Sequence, residues 1–490
     1  MATQEKAPGV AVPADTTAEA HEAARDRAAT TVAAEPEVPV FKEGGYGWAV
    51  VAGVFVLNMH TWGLNSSFGV FLAYYLRNDF FPGVTALEYA FIGGLSISMS
   101  MLCSPLATLL IRSRWCGTSL TIFFGVVFES IGFLGASFAT ELWQLLLSQG
   151  IAFGVGMGLC FVASAPVPAQ WFDKKRSLAS SIAAAGSGFG GLCYSIATNA
   201  MIQSLGLAWT FRVLAVICIV VNSVAAFVIK DRNAATGSVH HLFKADLLKR
   251  PEYLLYEFWL IFSMFGYVAL VFSLVDYCQS IGLSASNASL IGALFNLGQG
   301  IGRPIIGLAS DRYGRLNVAQ ISTALTGLLC LVFWLPGTRS LAACIVFALI
   351  CGPVAGVMWA SCTPVCVEVV GLPLTPSALS MTWLALVLPA MFAEAIALGL
   401  KTPGSWGYIN VQVFIGCMYL ASAASGWALR AWKLQELEDM RLAKEEREMA
   451  IRNDAVLDAP GDASAGASGL RERQKPKLFS AKGLWAIAKV

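Results

Sequence analysis

The 490-residue chain is short of charge. Only 13% of its residues are Asp, Glu, Lys or Arg, about half the fraction usual in a soluble domain. Histidine is scarcer still, with four in all, and the formal net charge is +2. That balance leaves no global field for nucleic acid, and no basic stripe with interleaved aromatics runs along the chain. Twelve cysteines are present, yet no pair of C-x-x-C motifs or histidines at zinc spacing accompanies them. A metal site and a disulfide framework are therefore not expected. Cys103, Cys160, Cys193, Cys218, Cys330 and Cys351 sit in apolar runs, and Cys362-Thr-Pro-Val-Cys366 reads as packing. No nucleophile, base and orienting group fall into a recognisable set, so an enzyme and a bound cofactor are not expected either. Residues 1–42 lack the apolar core of a signal peptide and read as a disordered cytosolic tail.

Apolar length is what the chain has. Hydrophobic residues make up 56% of it. A spanning helix needs roughly 20 of them to cross about 30 Å of hydrocarbon. Twelve segments qualify, near 48–75, 88–111, 117–139, 142–169, 177–202, 208–230, 256–279, 287–310, 316–335, 341–368, 375–400 and 407–432. Cations gather in alternate loops: Arg112 and Arg114; Lys174, Lys175 and Arg176; Lys230, Arg232, Lys244, Lys249 and Arg250; Arg312 and Arg315. The other loops hold Arg77, Arg339 and Lys401. This asymmetry predicts both termini in the cytosol. Asn287-Ala-Ser289 is a glycosylation sequon, but it abuts the eighth span and is expected to stay unmodified.

The polar stretch 231–255 divides the spans into six and six. The expected organisation is a tail at 1–42, a six-helix bundle at 43–230, a cytosolic central loop at 231–255, a second bundle at 256–432, and a cytosolic tail at 433–490. The fold class is thus an all-α membrane protein of twelve transmembrane helices in two six-helix bundles. Parallel repeats of that kind hold their site near the bilayer midplane.

One stretch is unusual for such a chain: Trp171-Phe-Asp-Lys-Lys-Arg176, then Ala183-Ala-Ala-Gly186-Ser-Gly188-Phe-Gly190-Gly191. The charged part falls in the loop between spans four and five. By itself it reads as a topology anchor at headgroup level. The glycines spell G-x-G-x-x-G, but no strand precedes them and the helix is membrane-embedded, so a dinucleotide site is excluded. Small residues let membrane helices approach closely, which suits a moving interface. Gly154, Gly156 and Gly158 in span four read likewise.

Trp-Phe, the basic cluster, Leu178-Ala179 and Ala185-Gly186-Ser187 resemble the fifth-helix signature of the monocarboxylate porter family, within the major facilitator superfamily. Glu43-Gly-Gly-Tyr-Gly-Trp48 is similar to that family's other signature, at the start of span one. The resemblance covers about residues 41–432 and implies two bundles rocking around a central cavity. Gly307-Leu-Ala-Ser-Asp311-Arg312-Tyr-Gly-Arg315 is similar to the superfamily's loop between helices eight and nine. There it latches the cytoplasmic side, so Asp311, Arg312, Arg315 and Gly307 are candidate gating residues; a plain inside anchor is the alternative. A carboxylate at a helix end with two arginines can form short charge-assisted bonds. The matching first-half loop, Leu110-Ile-Arg112-Ser-Arg114, lacks the acid.

Charged groups at membrane depth cost about 2.5–3.5 kcal/mol each on insertion scales. In span eight Asn296, Gln299 and Arg303 fall at i, i+3 and i+7, one face of a helix. A guanidinium facing a cavity can hold a carboxylate bidentately; an internal salt bridge is the alternative. Arg303-Pro304 also matches the family's substrate-binding Arg-Pro pair. Asn58, Thr61 and Asn65 share a face of span one, with Ser66 adjacent, and could line a cavity or bond between helices. His60 points elsewhere and reads as a packed, hydrogen-bonded histidine. Glu129 and Glu394 are isolated acids in spans three and eleven.

Two departures from the family stand out. Its proton-coupled members place an Asp one turn before the span-eight Arg, where this chain has Gln299. Their span-one lysine aligns with Ser66. Gln299 cannot ionise, which favours uniport or anion exchange over obligatory proton symport and leaves ion coupling open. The resulting expectation is a transporter of a small organic acid or related metabolite, with an anionic small molecule and the lipid bilayer as partners and no nucleic acid. It would reside in the plasma membrane, an intracellular membrane being the other choice. An exporter of a secondary metabolite and a transporter-like nutrient sensor are the rival readings. In the last tail, Leu434 to Arg452 is charged and helix-prone, and Lys475 to Lys489 is basic and aromatic, suited to a disordered segment or an anionic leaflet.

Overall fold

In the computed structural model the residues described are 43–457, apart from 403, 405 and 406. The expected tail at 1–42 and the basic, aromatic segment at 475–489 lie outside them.

Among the described residues ten helices are long and apolar enough to cross a membrane. Two more, Arg176–Leu205 and Ala285–Tyr313, match them in length but are rich in Gly, Ser and polar residues. The twelve are numbered in chain order: α1 Tyr46–Tyr75, α2 Phe91–Arg112, α3 Gly117–Ala136, α4 Leu142–Trp171, α5 Arg176–Leu205, α6 Leu207–Val228, α7 Pro251–Ser280, α8 Ala285–Tyr313, α9 Arg315–Gly337, α10 Leu341–Val370, α11 Thr375–Leu400 and α12 Ile409–Leu457. Among the described residues there is no strand.

Two boundaries move. The expected seventh span begins at 256, but α7 starts at Pro251, whose missing N–H costs nothing in a first turn. The twelfth span does not stop at 432. The helix continues to Leu457, carried by Arg441–Glu445 and Lys444–Glu448 pairs one turn apart.

The less apolar pair, α5 and α8, pack closely on each other through their small residues, while α8 still turns Ile301, Ile305 and Leu308 outward. A Cβ on Gly188 would stand 2.5 Å from the Gly300 nitrogen of α8. On the opposite face of α5, a Cβ on Gly186 would stand 2.0 Å from the Phe55 carbonyl of α1, and one on Gly190 2.3 Å from that of Met59. The glycine run therefore serves two contacts at once. Nothing larger fits between α1, α5 and α8 without moving backbone.

Apolar clusters fill each half, and a further one spans both: Met101 and Leu159 from the first half meet Tyr253, Met358 and Trp383 from the second. Large apolar side chains such as Leu109, Phe124, Phe128, Val220, Ile305, Leu308 and Val332 are exposed around the outside, as hydrocarbon-facing residues must be.

Segment 231–249 does not loop freely. Its start is tied to the first half, with Gln170 Nε2 donating to Asn233 Oδ1 (2.8 Å) and Arg232 N donating to Gln170 Oε1 (2.8 Å). Its middle is tied to α11 and the turn before it: Val239 N donates to Pro373 O (2.8 Å) and His241 N to Ser377 Oγ (2.9 Å). The linker crosses the end of the bundle that also carries residues 43, 174 and 433, called here the charged end.

Candidate functional site

Arg303 is buried in α8, ten residues before its end at Tyr313. Its Nη1 donates to Ala184 O (2.6 Å) and to the Ser187 hydroxyl, both on α5. Its Nη2 donates to Gln299 Oε1 (2.8 Å). That oxygen also accepts from Tyr267 Oη (2.9 Å), and Gln299 Nε2 donates to Asn296 Oδ1 (3.4 Å). The expected triplet of α8 is thus one continuous hydrogen-bonded row. Gly356 keeps the space beside it clear, since a Cβ there would stand 2.9 Å from Arg303 Nη2. Among the described residues no carboxylate lies within ion-pair distance of Arg303. Its Nε is buried and has no partner. The internal salt bridge considered as an alternative is absent among those residues.

The span-one residues separate. Asn58 is buried, and its Nδ2 donates to Ala183 O of α5 (3.0 Å). It pins two helices together and does not join the Arg303 row. Thr61 bonds to its own helix at Leu57 O. Asn65 is half-buried and accepts from Ser96 Oγ of α2 (2.7 Å), beside a recess lined by Phe68, Phe71, Gln149 and Phe153. Ser66 is exposed and lies against the glycine face of α5, 3.1 Å from where a Gly191 Cβ would stand. Asn296 borders that same point at 3.2 Å, so Ser66 and Asn296 come together across the two halves.

His60 Nδ1 meets the Tyr194 hydroxyl, a packed histidine as expected. Glu129 is buried and accepts from Asn222 Nδ2 (3.1 Å), inside the first half and away from the centre. Glu394 is half-buried on α11 and makes no ion pair with Arg303.

At the charged end the gating candidates do assemble, with one exception. Asp311 accepts from the Ser177 N (3.0 Å) and Leu178 N (2.8 Å) at the start of α5. Carboxylates are favoured there by the helix dipole and by charge-assisted bonding. Arg315 Nε lies 3.6 Å from Asp311, its Nη1 pairs with Glu368, and its Nη2 donates to Asp173 O (2.6 Å). At Gly307 a Cβ would stand 2.7 Å from Ser177 O, so α8 reaches α5 only because that residue is glycine. Arg312 stays outside the cluster, exposed over the Tyr313 ring.

The two signature stretches also meet. Glu43 Oε1 accepts from Asp173 N (2.8 Å) and Lys174 N (2.6 Å), while Trp48 packs on Phe172 with centroids 4.8 Å apart. Asp173 in turn bonds Arg176 (3.0 Å). The first turn of α1 thereby positions the loop that the Asp311 cluster grips.

Sequence reasoning missed several participants. Ser187 and Tyr267 complete the Arg303 row, and Glu368 completes the charged cluster. A group of rings also surrounds the centre: Trp62, Phe161, Tyr267, Trp359 and Trp383. One signal was available for the rings. Tryptophans of membrane proteins favour the interfaces, and these three sit away from the ends of their helices.

The family model of the Major Facilitator Superfamily matches residues 50–393. The probable transporter MCH2 of Saccharomyces cerevisiae is 32% identical, with 81% of this chain and 84% of that protein covered. The fujikurins efflux protein of Gibberella fujikuroi is 26% identical, with 82% and 86% covered. In fold, the chain resembles the crystal structure of the E. coli fucose:proton symporter FucP, with a TM-score of 0.58 at 11% identity over 77% of this chain and 98% of that one. These are multi-pass membrane transporters and not enzymes.

Proposed function

The chain belongs to the Major Facilitator Superfamily, and on that premise we propose that it carries a small organic acid or related metabolite by alternating access of the monocarboxylate porter type. The observation that carries this reading is Arg303: a guanidinium buried between the halves, with a spare Nε and no carboxylate within reach among the described residues. Neutral acceptors hold it in place without cancelling its charge, so an anionic cargo is its natural counter-ion. Gln299, Asn296 and Tyr267 then orient the cargo from the second half, and Ser187, Ser66 and Asn65 from the first. Neutralisation by the cargo itself supports uniport or anion exchange.

The charged end is the cytosolic gate in this reading, with both chain ends on that side of the plasma membrane. Asp311, Arg315 and Glu368 hold the halves together there, and they part when the site opens inward. The test is transport by Arg303→Ala, expected to fall at least tenfold at unchanged surface expression, with Arg303→Lys recovering little because the planar fork is lost. Full flux in the alanine variant sinks the reading.

The likeness to the fujikurins efflux protein favours a second reading on direction, the export of a secondary metabolite. Flux measured separately in inside-out and right-side-out vesicles distinguishes export from uptake.

A further inference from the structure

Five rings from five helices and both halves form one connected group. Trp62 of α1 lies 5.0 Å from Trp359 of α10 and 5.2 Å from Phe161 of α4, centroid to centroid. Phe161 lies 4.9 Å from Trp383 of α11, and the Trp359 and Trp383 rings are near-parallel at 15°. Tyr267 of α7 stands edge-on to Trp359 at 6.0 Å. The same Tyr267 hydroxyl donates to the Gln299 oxygen that holds Arg303. A single residue thus joins the aromatic group to the guanidinium.

These rings are not merely core. Trp62, Phe161, Tyr267 and Trp359 keep part of their surface exposed, although they contact one another across the halves midway along the helices. The group thus joins the two halves, and through Tyr267 and Gln299 it reaches the Arg303 guanidinium. One donor adds to this. Trp62 Nε1 is buried without a hydrogen-bond partner, as is Arg303 Nε. Buried donors are nearly always paired, so both favour a ligand that brings acceptors.

We infer that the cargo is an acid with a flat, conjugated ring body, its anionic group at Arg303 and its ring against Trp359 and Trp62. Aromatic faces reward a flat partner through quadrupole and dispersion contacts that a puckered saturated ring meets less well, and mostly apolar walls with a few placed polar groups are the usual form of such sites. This inference rests on Arg303 being the anion site.

The test uses the full-length protein in lipid nanodiscs and two probes of matched size and charge, 2-naphthoate and its saturated analogue decalin-2-carboxylate, with binding followed by calorimetry. The flat acid should bind roughly tenfold tighter. Trp359→Leu should erase that preference while retaining the saturated acid, and Trp359→Phe should restore most of it. Arg303→Ala should lose both acids. Equal binding of the two acids by the unaltered protein, or an undiminished preference in a folded Trp359→Leu, overturns the aromatic inference and leaves the anion reading standing. Binding of neither acid, or binding that survives Arg303→Ala, overturns the anion reading and this inference with it.

Discussion

The loop between α8 and α9 and its counterpart between α2 and α3 occupy equivalent places in the two halves, yet they close the charged end by different means. In the second half, Asp311 takes two backbone N–H groups from α5, and Arg315 gathers Asp311, Glu368 and the Asp173 carbonyl. In the first half, Arg112-Ser-Arg114 has no acid, and Arg114 lies over the Trp115 ring. That corner is held by neutral bonds instead. Ser104 Oγ donates to Ser380 O (2.9 Å), Thr108 Oγ1 to Ser380 Oγ (3.0 Å), and the linker is clipped to α11 through Ser377. Charge-assisted bonds are roughly twice as strong as neutral ones. The closed state therefore leans on one corner more than on the other, and the linker takes the place that a second acidic latch would have.

The largest effect should come from Asp311→Asn. Its side chain is 9% exposed, so solvent screens its bonds little. Losing the charge while keeping one acceptor should cost the closed state about 2 kcal/mol, roughly a thirty-fold shift toward inward opening. Cysteine labelling from the cytosolic side reads the shift. Unchanged labelling with normal flux would reduce Asp311 to a topology anchor and erase the difference between the corners.

Ser377→Ala tests the neutral corner. It removes the acceptor of His241 N and the donor to Val239 O (2.6 Å). At about 1 kcal/mol of net loss, the same labelling should rise roughly five-fold. A larger effect here than at Asp311 would reverse the ranking and make the linker the principal closure.

How far the sequence foretold this is clearest at particular residues. The all-helical membrane fold, the packing use of the 183–191 run and the Arg303 row were legible, because length, residue size and buried charge constrain a membrane helix strongly. Trp359 and Trp383 were not. Their distance from the helix ends was the one cue, and since lipid and core are both apolar it does not say which way the rings face. The linker escaped for another reason: its ties run largely through backbone, as at Val239 N to Pro373 O, and backbone groups carry no sequence signal. Glu368, two residues before the end of α10, looked like a span terminus until the fold brought Arg315 and Lys433 to it; Lys433 Nζ reaches Glu368 O at 2.8 Å.

The smallest effect is on pH and concerns His240, the middle of the neutral corner. It borders a narrow recess with Thr108, Gln170, Asn233 and Trp383, at the seam of linker, α2, α4 and α11. Its Nε2 is buried without a partner. Burial lowers its pKa below the ordinary 6.5, against a weaker upward pull from Asp231. The clipped linker thus favours the neutral imidazole. A histidine whose pKa is depressed in the closed form contributes to closure above its ordinary pKa, and that contribution is lost as pH falls through the depressed value. Acidification from pH 7 toward 5 should therefore loosen residues 231–249, seen as faster amide hydrogen exchange there after correction for the intrinsic pH dependence. His240→Gln, neutral at every pH, should flatten that response and leave the Asp311 corner as it was. A response of equal size in the glutamine variant would show that His240 is not its origin.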